Sequence, residues 1–141
     1  MATIIILNGP NLNLVGRRQP EIYGTVGFDE YIPRLQEMFE KHTLIYHQSN
    51  HEGALIDWLH RYGFTVDGIL LNAGGLTHTS VALADAVAGI TTPVVEVHIS
   101  DIGSREGFRR HSYLTSVCAH TIMGEGLQGY EMGVKWLLAV S

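Results

Sequence analysis

The chain opens on Thr3-Ile4-Ile5-Ile6-Leu7, apolar at consecutive positions with no alternation. A strand of that kind has to be buried on both faces, and the usual solution is a parallel sheet covered by helices on either side. Four further short runs repeat the signal: Leu44 to Gln48, Gly68 to Asn72, Pro93 to Ile99 and Ala119 to Met123. Helical spacing fills the intervals, as parallel strands require of their connections. Phe28, Tyr31, Ile32, Leu35, Met38 and Phe39 recur on one helical face, with Pro33 near the start of that helix or kinking it. Ser49 and Glu52 have the spacing of a capping box for a helix that ends at Gly63. Thr77 reads as the N-cap of a helix through Val81, Leu83, Ala84 and Val87 that stops near Gly89. A short Arg-rich helix is expected after the fourth strand. A closing helix carries Leu127, Tyr130, Val134, Trp136, Leu137 and Leu138.

Five strands and five helices in alternation predict an α/β, three-layer, flavodoxin-like fold with a five-stranded parallel sheet of order 2-1-3-4-5. At 141 residues this is one domain, 1–141, large enough for a real core. In such sheets ligands bind beyond the carboxyl ends of the strands, where the strand order reverses. Here that is the gap between the first and third strands.

One stretch fits neither period. Asn8 to Gly27 reads NGPNLNLVGRRQPEIYGTVG. A connection of about twenty residues in a compact chain is usually a functional lid or a disordered segment. This one holds Asn11, Asn13, Arg17, Arg18 and Tyr23 between glycines. It reads as a mobile flap over about 16–27 that brings a cation and a phenol onto a small anionic ligand.

Composition narrows the partners. No apolar run approaches the roughly 20 residues of a membrane span, and no signal peptide precedes the first strand. Cys118 is the single cysteine, which excludes an internal disulfide and suits a reducing cytoplasm. A formal charge of -5 argues against a nucleic-acid binder. Yet Arg17, Arg18, Arg105, Arg109 and Arg110 fall in two short segments of this acidic chain, a pattern that suits a small anion.

The remaining candidates lie at strand ends. Asn72 closes the third strand, and Thr77, His78, Thr79 and Ser80 open the helix after it, where free N–H groups and hydroxyls favour a negative group. Asp85 is seven residues beyond His78, near the same helix face but about 10 Å along the axis. If it matters to the site, the site it reaches is a neighbouring subunit's. Glu96, His98 and Ser100 alternate along the fourth strand and share a face. His98 stands where a general acid or base would be placed, and Glu96 can orient its imidazole. The backbone of Ile99 and Ser100, with the Ser100 hydroxyl, offers donors to a carboxylate. Arg105 and Arg109, four apart, would share a helix face and suit planar carboxylate recognition, with Arg110 pointing elsewhere. No Rossmann or Walker glycine loop and no His-Glu-x-x-His metal helix is present. Cys118 reads as packing. A phosphoacceptor module would want acidic residues after the first strand, where Asn11 and Asn13 stand. A flavin site would want a phosphate-cradling loop there. A different carbon–oxygen lyase acting on another cyclic hydroxy acid remains a rival reading.

Several blocks, in order along the chain, resemble type II 3-dehydroquinate dehydratase: Asn8 to Asn13, Arg18 to Gly24, Gln48 to Gly53, Thr77 to Ser80 and Val97 to Ser100. Arg105-Glu106, Phe108-Arg109, His111-Ser112 and Gly126 to Tyr130 extend the likeness. It implies reversible dehydration of 3-dehydroquinate to 3-dehydroshikimate through an enolate, in the shikimate pathway of aromatic amino acid biosynthesis. It also implies a flavodoxin-like fold, no cofactor or metal, and a dodecamer built from trimers. By position, Tyr23 resembles the base at C2 and Arg18 the cation that holds it as phenolate. Asn11 resembles the residue that positions a water at the enolate oxygen. His98 resembles the acid, oriented by Glu96. Asn72, His78, Ile99, Ser100 and Arg109 resemble the substrate-binding set, Asp85 the residue reaching across a subunit contact, and Arg105 a flap-side partner. A free phenol is only about one part in a thousand ionised at neutral pH, and bringing its pKa to about 7 takes roughly 4 kcal/mol of preference for the phenolate. A close arginine screened from water supplies much of that. Gln19, Ala84 and Asp101 to Ser104 depart from the family's usual Glu, Arg and Asn-x-His-Ala, touching the flap and subunit contacts and none of the proposed catalytic residues.

Overall fold

The computed structural model describes residues 1–17, 21 and 25–141. The expected roles of Arg18, Gln19 and Tyr23 lie outside the described residues. β1 (Thr3–Asn8), β2 (Thr43–Gln48), β3 (Gly68–Asn72), β4 (Val94–His98) and β5 (His120–Met123) form one sheet of order β2-β1-β3-β4-β5. Each pairing between neighbours is parallel. The expected order is the observed one.

Among the described residues there are four α-helices: α1 (Phe28–Met38), α2 (Glu52–Tyr62), α3 (Val81–Ala88) and α4 (Gln128–Val140). None is long and apolar enough to cross a membrane. The period-2 geometry of β1 sorts its side chains into two cores. Ile4 and Ile6 face Phe28, Ile32 and Leu35 of α1 and Tyr130, Val134 and Leu137 of α4. Ile5 and Leu7 face Leu55 and Leu59 of α2 and Leu83, Ala86 and Val87 of α3. Each fully buried Ile or Leu contributes about 1.5–3 kcal/mol, so the continuous apolar run of β1 commits it to the middle of three layers. Pro33 lies inside α1, in its second turn, and not at the helix start.

Several local expectations are corrected. The N-cap of α2 is His51, without a side-chain cap bond. Ser49 instead accepts the His51 N–H at 3.0 Å, and the Glu52 carboxylate accepts a short hydrogen bond from the Ser80 hydroxyl. Thr77 caps nothing. It is buried in a 3-10 turn, Gly74–His78, and Ser80 caps α3 by accepting the Leu83 N–H at 2.9 Å. The Arg-rich helix is two 3-10 turns, Ile102–Ser104 and Gly107–Arg109, with Arg105 between them. Arg105 and Arg109 therefore share no helix face.

The gap between the loops after β1 and β3 is closed backbone to backbone. The Gly9 N–H donates to the Asn72 carbonyl at 2.7 Å, and a side chain on Gly9 would meet the Ala73 carbonyl oxygen at 2.5 Å. A side chain on Gly74, at φ +58, would meet the Pro10 carbonyl oxygen at 2.8 Å. Glycine is needed at both for the two strand ends to present their next residues to one cleft.

Candidate active site

A cleft of about 200 Å³ opens at the carboxyl ends of β1, β3 and β4. Pro10, Asn11 and Leu12 line it from the first loop, Asn72, Gly74, Gly75 and His78 from the second. His98, Ile99, Ser100, Ile102, Arg105 and Arg109 complete it. Of the residues expected here, Asn11, Asn72, His78, His98, Ile99, Ser100, Arg105 and Arg109 come together. Asp85 does not. It is exposed on α3 and does not line the cleft. Because α3 starts only at Val81, the helical spacing from His78 to Asp85 does not apply.

Glu96 lies behind the cleft, fully buried. Four groups donate to its carboxylate. His98 Nε2 and the Ser112 hydroxyl reach Oε2 at 2.6 and 2.5 Å, and the Thr115 and Thr121 hydroxyls reach Oε1 at 2.7 and 3.0 Å. Burial alone pushes this carboxyl up, but the hydrogen bonds from His98 and Ser112, the charge of His98 and the Thr115 bond outweigh it, and the pKa falls to about 2. With Glu96 ionised, His98 Nε2 must carry its hydrogen, so Nδ1 is the ring atom left for a ligand. The imidazole is itself only 5% exposed. Sequence reading found the His98–Glu96 pair by strand alternation and missed the three hydroxyls, which come from a loop and from β5.

Asn11 takes a left-handed conformation, φ 69, and its N–H donates to Asn50 Oδ1 at 2.9 Å. Gln48 Nε2 ties the same turn down through the Gly9 carbonyl at 3.2 Å. Local hydrogen bonding makes Asn one of the few residue types that tolerate this backbone. Across the cleft, His78 Nδ1 donates to the His111 carbonyl at 2.7 Å, so in the neutral ring Nε2 is an acceptor. The carbonyls of Ile99 and Ser100 are held by the Gly126 and Gly124 N–H groups, each at 3.1 Å.

Arg105 Nη1 donates to Ser100 Oγ at 3.1 Å, which leaves the Ser100 hydrogen available. The Glu106 carboxylate joins the two arginines, 3.6 Å from Arg105 Nε and 3.1 Å from Arg109 Nε. The second contact is an ion pair without hydrogen-bond alignment, since Arg109 Nε has no bonded acceptor. Glu106 thus does what the predicted helix would have done. Arg110 turns away, donating to the Arg105 carbonyl at 3.0 Å. Among the described residues no three His, Cys, Asp or Glu side chains are grouped to hold a metal ion. The arrangement can bind an anionic, oxygen-rich small molecule and offer it a proton from an imidazolium.

The family model for class II dehydroquinases matches residues 2–138. The 3-dehydroquinate dehydratase of Marinomonas sp. is 46% identical over 145 residues, covering 98% of this chain and 97% of that protein. The 3-dehydroquinate dehydratase 1 of Corynebacterium efficiens is 52% identical over 136 residues, covering 95% and 90%. Among solved structures, the type II dehydroquinase from Butyrivibrio crossotus superposes with a TM-score of 0.93 at 39% identity over 97% of both chains. With this sheet order and this cleft, and with similarity spanning nearly the whole length, the chain belongs to the class II dehydroquinase family.

Proposed function

We propose that this chain is a hydro-lyase that carries out the reversible trans-dehydration of 3-dehydroquinate to 3-dehydroshikimate and water, in the shikimate pathway toward chorismate and the aromatic amino acids. The observation that carries the reading is His98, held through Nε2 by an ionised Glu96, with Nδ1 left for a ligand, in a cleft also lined by Asn72, Ser100, His78 and Arg109. Protonated His98 gives its Nδ1 hydrogen to the departing C1 hydroxyl, which leaves as water. Tyr23, held as phenolate by Arg18, removes the C2 proton, and the electron pair moves into the enolate. Asn11 positions a water at the enolate oxygen. Asn72, the backbone of Ile99 and Ser100, and the Ser100 hydroxyl receive the carboxylate. His78, an acceptor at Nε2, suits a hydroxyl on the ring, and Arg109 another oxygen substituent of the ring.

The stretch 16–27 is proposed as the flap that delivers Arg18 and Tyr23, with Arg105 as its partner on the cleft side. The same reading carries a cytoplasmic dodecamer of trimers in which Asp85 serves a neighbouring subunit's cleft. The exposed position of Asp85, away from its own chain's cleft, supports this.

The test is turnover of 3-dehydroquinate, followed by the ultraviolet absorbance of the conjugated enone product. Tyr23→Phe and His98→Ala are each expected to lower kcat by at least 10²-fold. Near-wild-type turnover in either variant defeats its assignment, and a fully active monomer in dilute solution defeats the role of Asp85.

A further inference from the structure

Behind the cleft lies a second polar chain, of which the proposed chemistry uses only the last member, Asn72. Asn8 ends β1 and Asn72 ends β3, paired in register, and Tyr130 of α4 inserts its hydroxyl between them. Asn8 and Tyr130 are completely buried and Asn72 nearly so. Phe28 and Tyr31 hold the Tyr130 ring edge-on, at centroid distances of 5.2 and 6.4 Å. A phenylalanine beside apolar strand ends would fill this space with no buried polar atom, so the hydroxyl and the two asparagines it joins need an explanation together.

The bonds run in one direction. Asn8 Nδ2 donates to Tyr46 Oη at 3.1 Å, which turns Asn8 Oδ1 toward Tyr130. The Tyr130 hydroxyl donates to that oxygen at 2.7 Å. Its one hydrogen is then spent, so it can only accept from Asn72, whose Nδ2 donates to it at 3.0 Å. Asn72 Oδ1 is turned the other way, onto the Gly74 N–H at 3.1 Å. Two of the amide's four hydrogen-bonding roles are assigned in this way; besides the second Oδ1 lone pair, the remaining Nδ2 hydrogen is what Asn72 can offer to the cleft. Burial drives the Tyr130 phenol strongly upward, so it keeps its hydrogen and with it the direction of the chain.

We propose that Tyr46, Asn8 and Tyr130 form a directional hydrogen-bond chain that sets which way the Asn72 amide faces the cleft, so that Asn72 presents an N–H to an oxygen of the ligand. Tyr130 is on this account a positioning residue, and the chain crosses the sheet from β2 to β3. The inference rests on the dehydratase reading, and the experiment separates the two. Absence of 3-dehydroquinate turnover by the unmodified protein defeats that reading. An active protein allows the chain to be tested on its own.

Tyr130→Phe keeps the ring and removes the acceptor of the Asn72 Nδ2 hydrogen, leaving the Gly74 N–H alone to orient the amide. KM for 3-dehydroquinate is expected to rise about five- to tenfold with kcat within about twofold, the pattern of lost uniform binding. Tyr46→Phe, on a half-buried strand residue, removes the acceptor that orients Asn8 and is expected to raise KM about two- to threefold. In an Asn72→Ala background both effects should vanish, because nothing is left for the chain to orient. A merely structural role would instead add its effect to that of Asn72→Ala. Wild-type KM in Tyr130→Phe, or an undiminished effect in the Asn72→Ala background, overturns the proposal. If Tyr130→Phe does not fold, Tyr46→Phe in the two backgrounds decides the matter by the same criteria.

Discussion

Glu96→Gln exchanges a buried carboxylate for an amide of the same shape. All four neighbours, His98, Ser112, Thr115 and Thr121, donate to the carboxylate, and the amide brings two further hydrogens toward them. The carboxyl falls from an ordinary 4.5 to about 2 in the folded protein. That difference corresponds to about 3 kcal/mol of stability at neutral pH. Because the folded pKa is depressed, the contribution is complete above the unfolded value and is lost as pH falls through the folded one. About half should be gone near pH 3.2. The assay is urea denaturation of both proteins at one concentration, in steps from pH 7 to pH 2.5. The variant is expected to be less stable by about 3 kcal/mol at pH 7, and the gap should close toward zero as wild-type Glu96 takes up a proton. A gap that stays constant across that range would refute the claim that an ionised Glu96 is what the hydroxyls stabilise. Turnover of 3-dehydroquinate at pH 7 should fall on the order of 10²-fold, since His98 loses the carboxylate charge that holds its Nε2 hydrogen in place and favours its protonated ring.

Two further outcomes follow from the packing around this cleft. Gly9→Ala would drive a methyl into the Ala73 carbonyl oxygen, 2.5 Å away in backbone that cannot step aside, and should cost about 2–3 kcal/mol, read as a lower midpoint in urea. A midpoint equal to wild type would show that the two loops are not in fixed contact. Burial, with the nearby charge of Glu96, pushes the Cys118 thiol up to about 12. At pH 7–8 it should therefore react with a thiol reagent at least about 10²-fold more slowly in the folded protein than in urea, and equal rates in the two states would contradict the burial.

The strands, their two-sided burial and the position of the cleft could be read from the chain because each is written locally. Consecutive apolar residues in β1 demand cover on both faces, and the two-residue period alone puts Glu96, His98 and Ser100 on one side of β4. Asn72, His98 and Ser100 were found for the same reason, as polar residues where an apolar strand stops. Local pattern also misled in places. Ser49 with Glu52, and Thr77 before α3, have the spacing of caps, yet tertiary contacts give Glu52 and Ser80 to each other and bury Thr77. The two arginines meet through Glu106 and not through a helix.

What the sequence by itself determined is therefore the periodic part: five strands, the layers over them, and the residues that end them. What only the tertiary structure decided is which donor meets which acceptor. The bonds that orient Asn72 join residues 58 and 122 positions apart in the chain, and the hydroxyls around Glu96 come 16, 19 and 25 positions after it. No local propensity encodes such pairs. They exist because strand register and helix docking bring polar atoms together where water is excluded, and there each must find a partner.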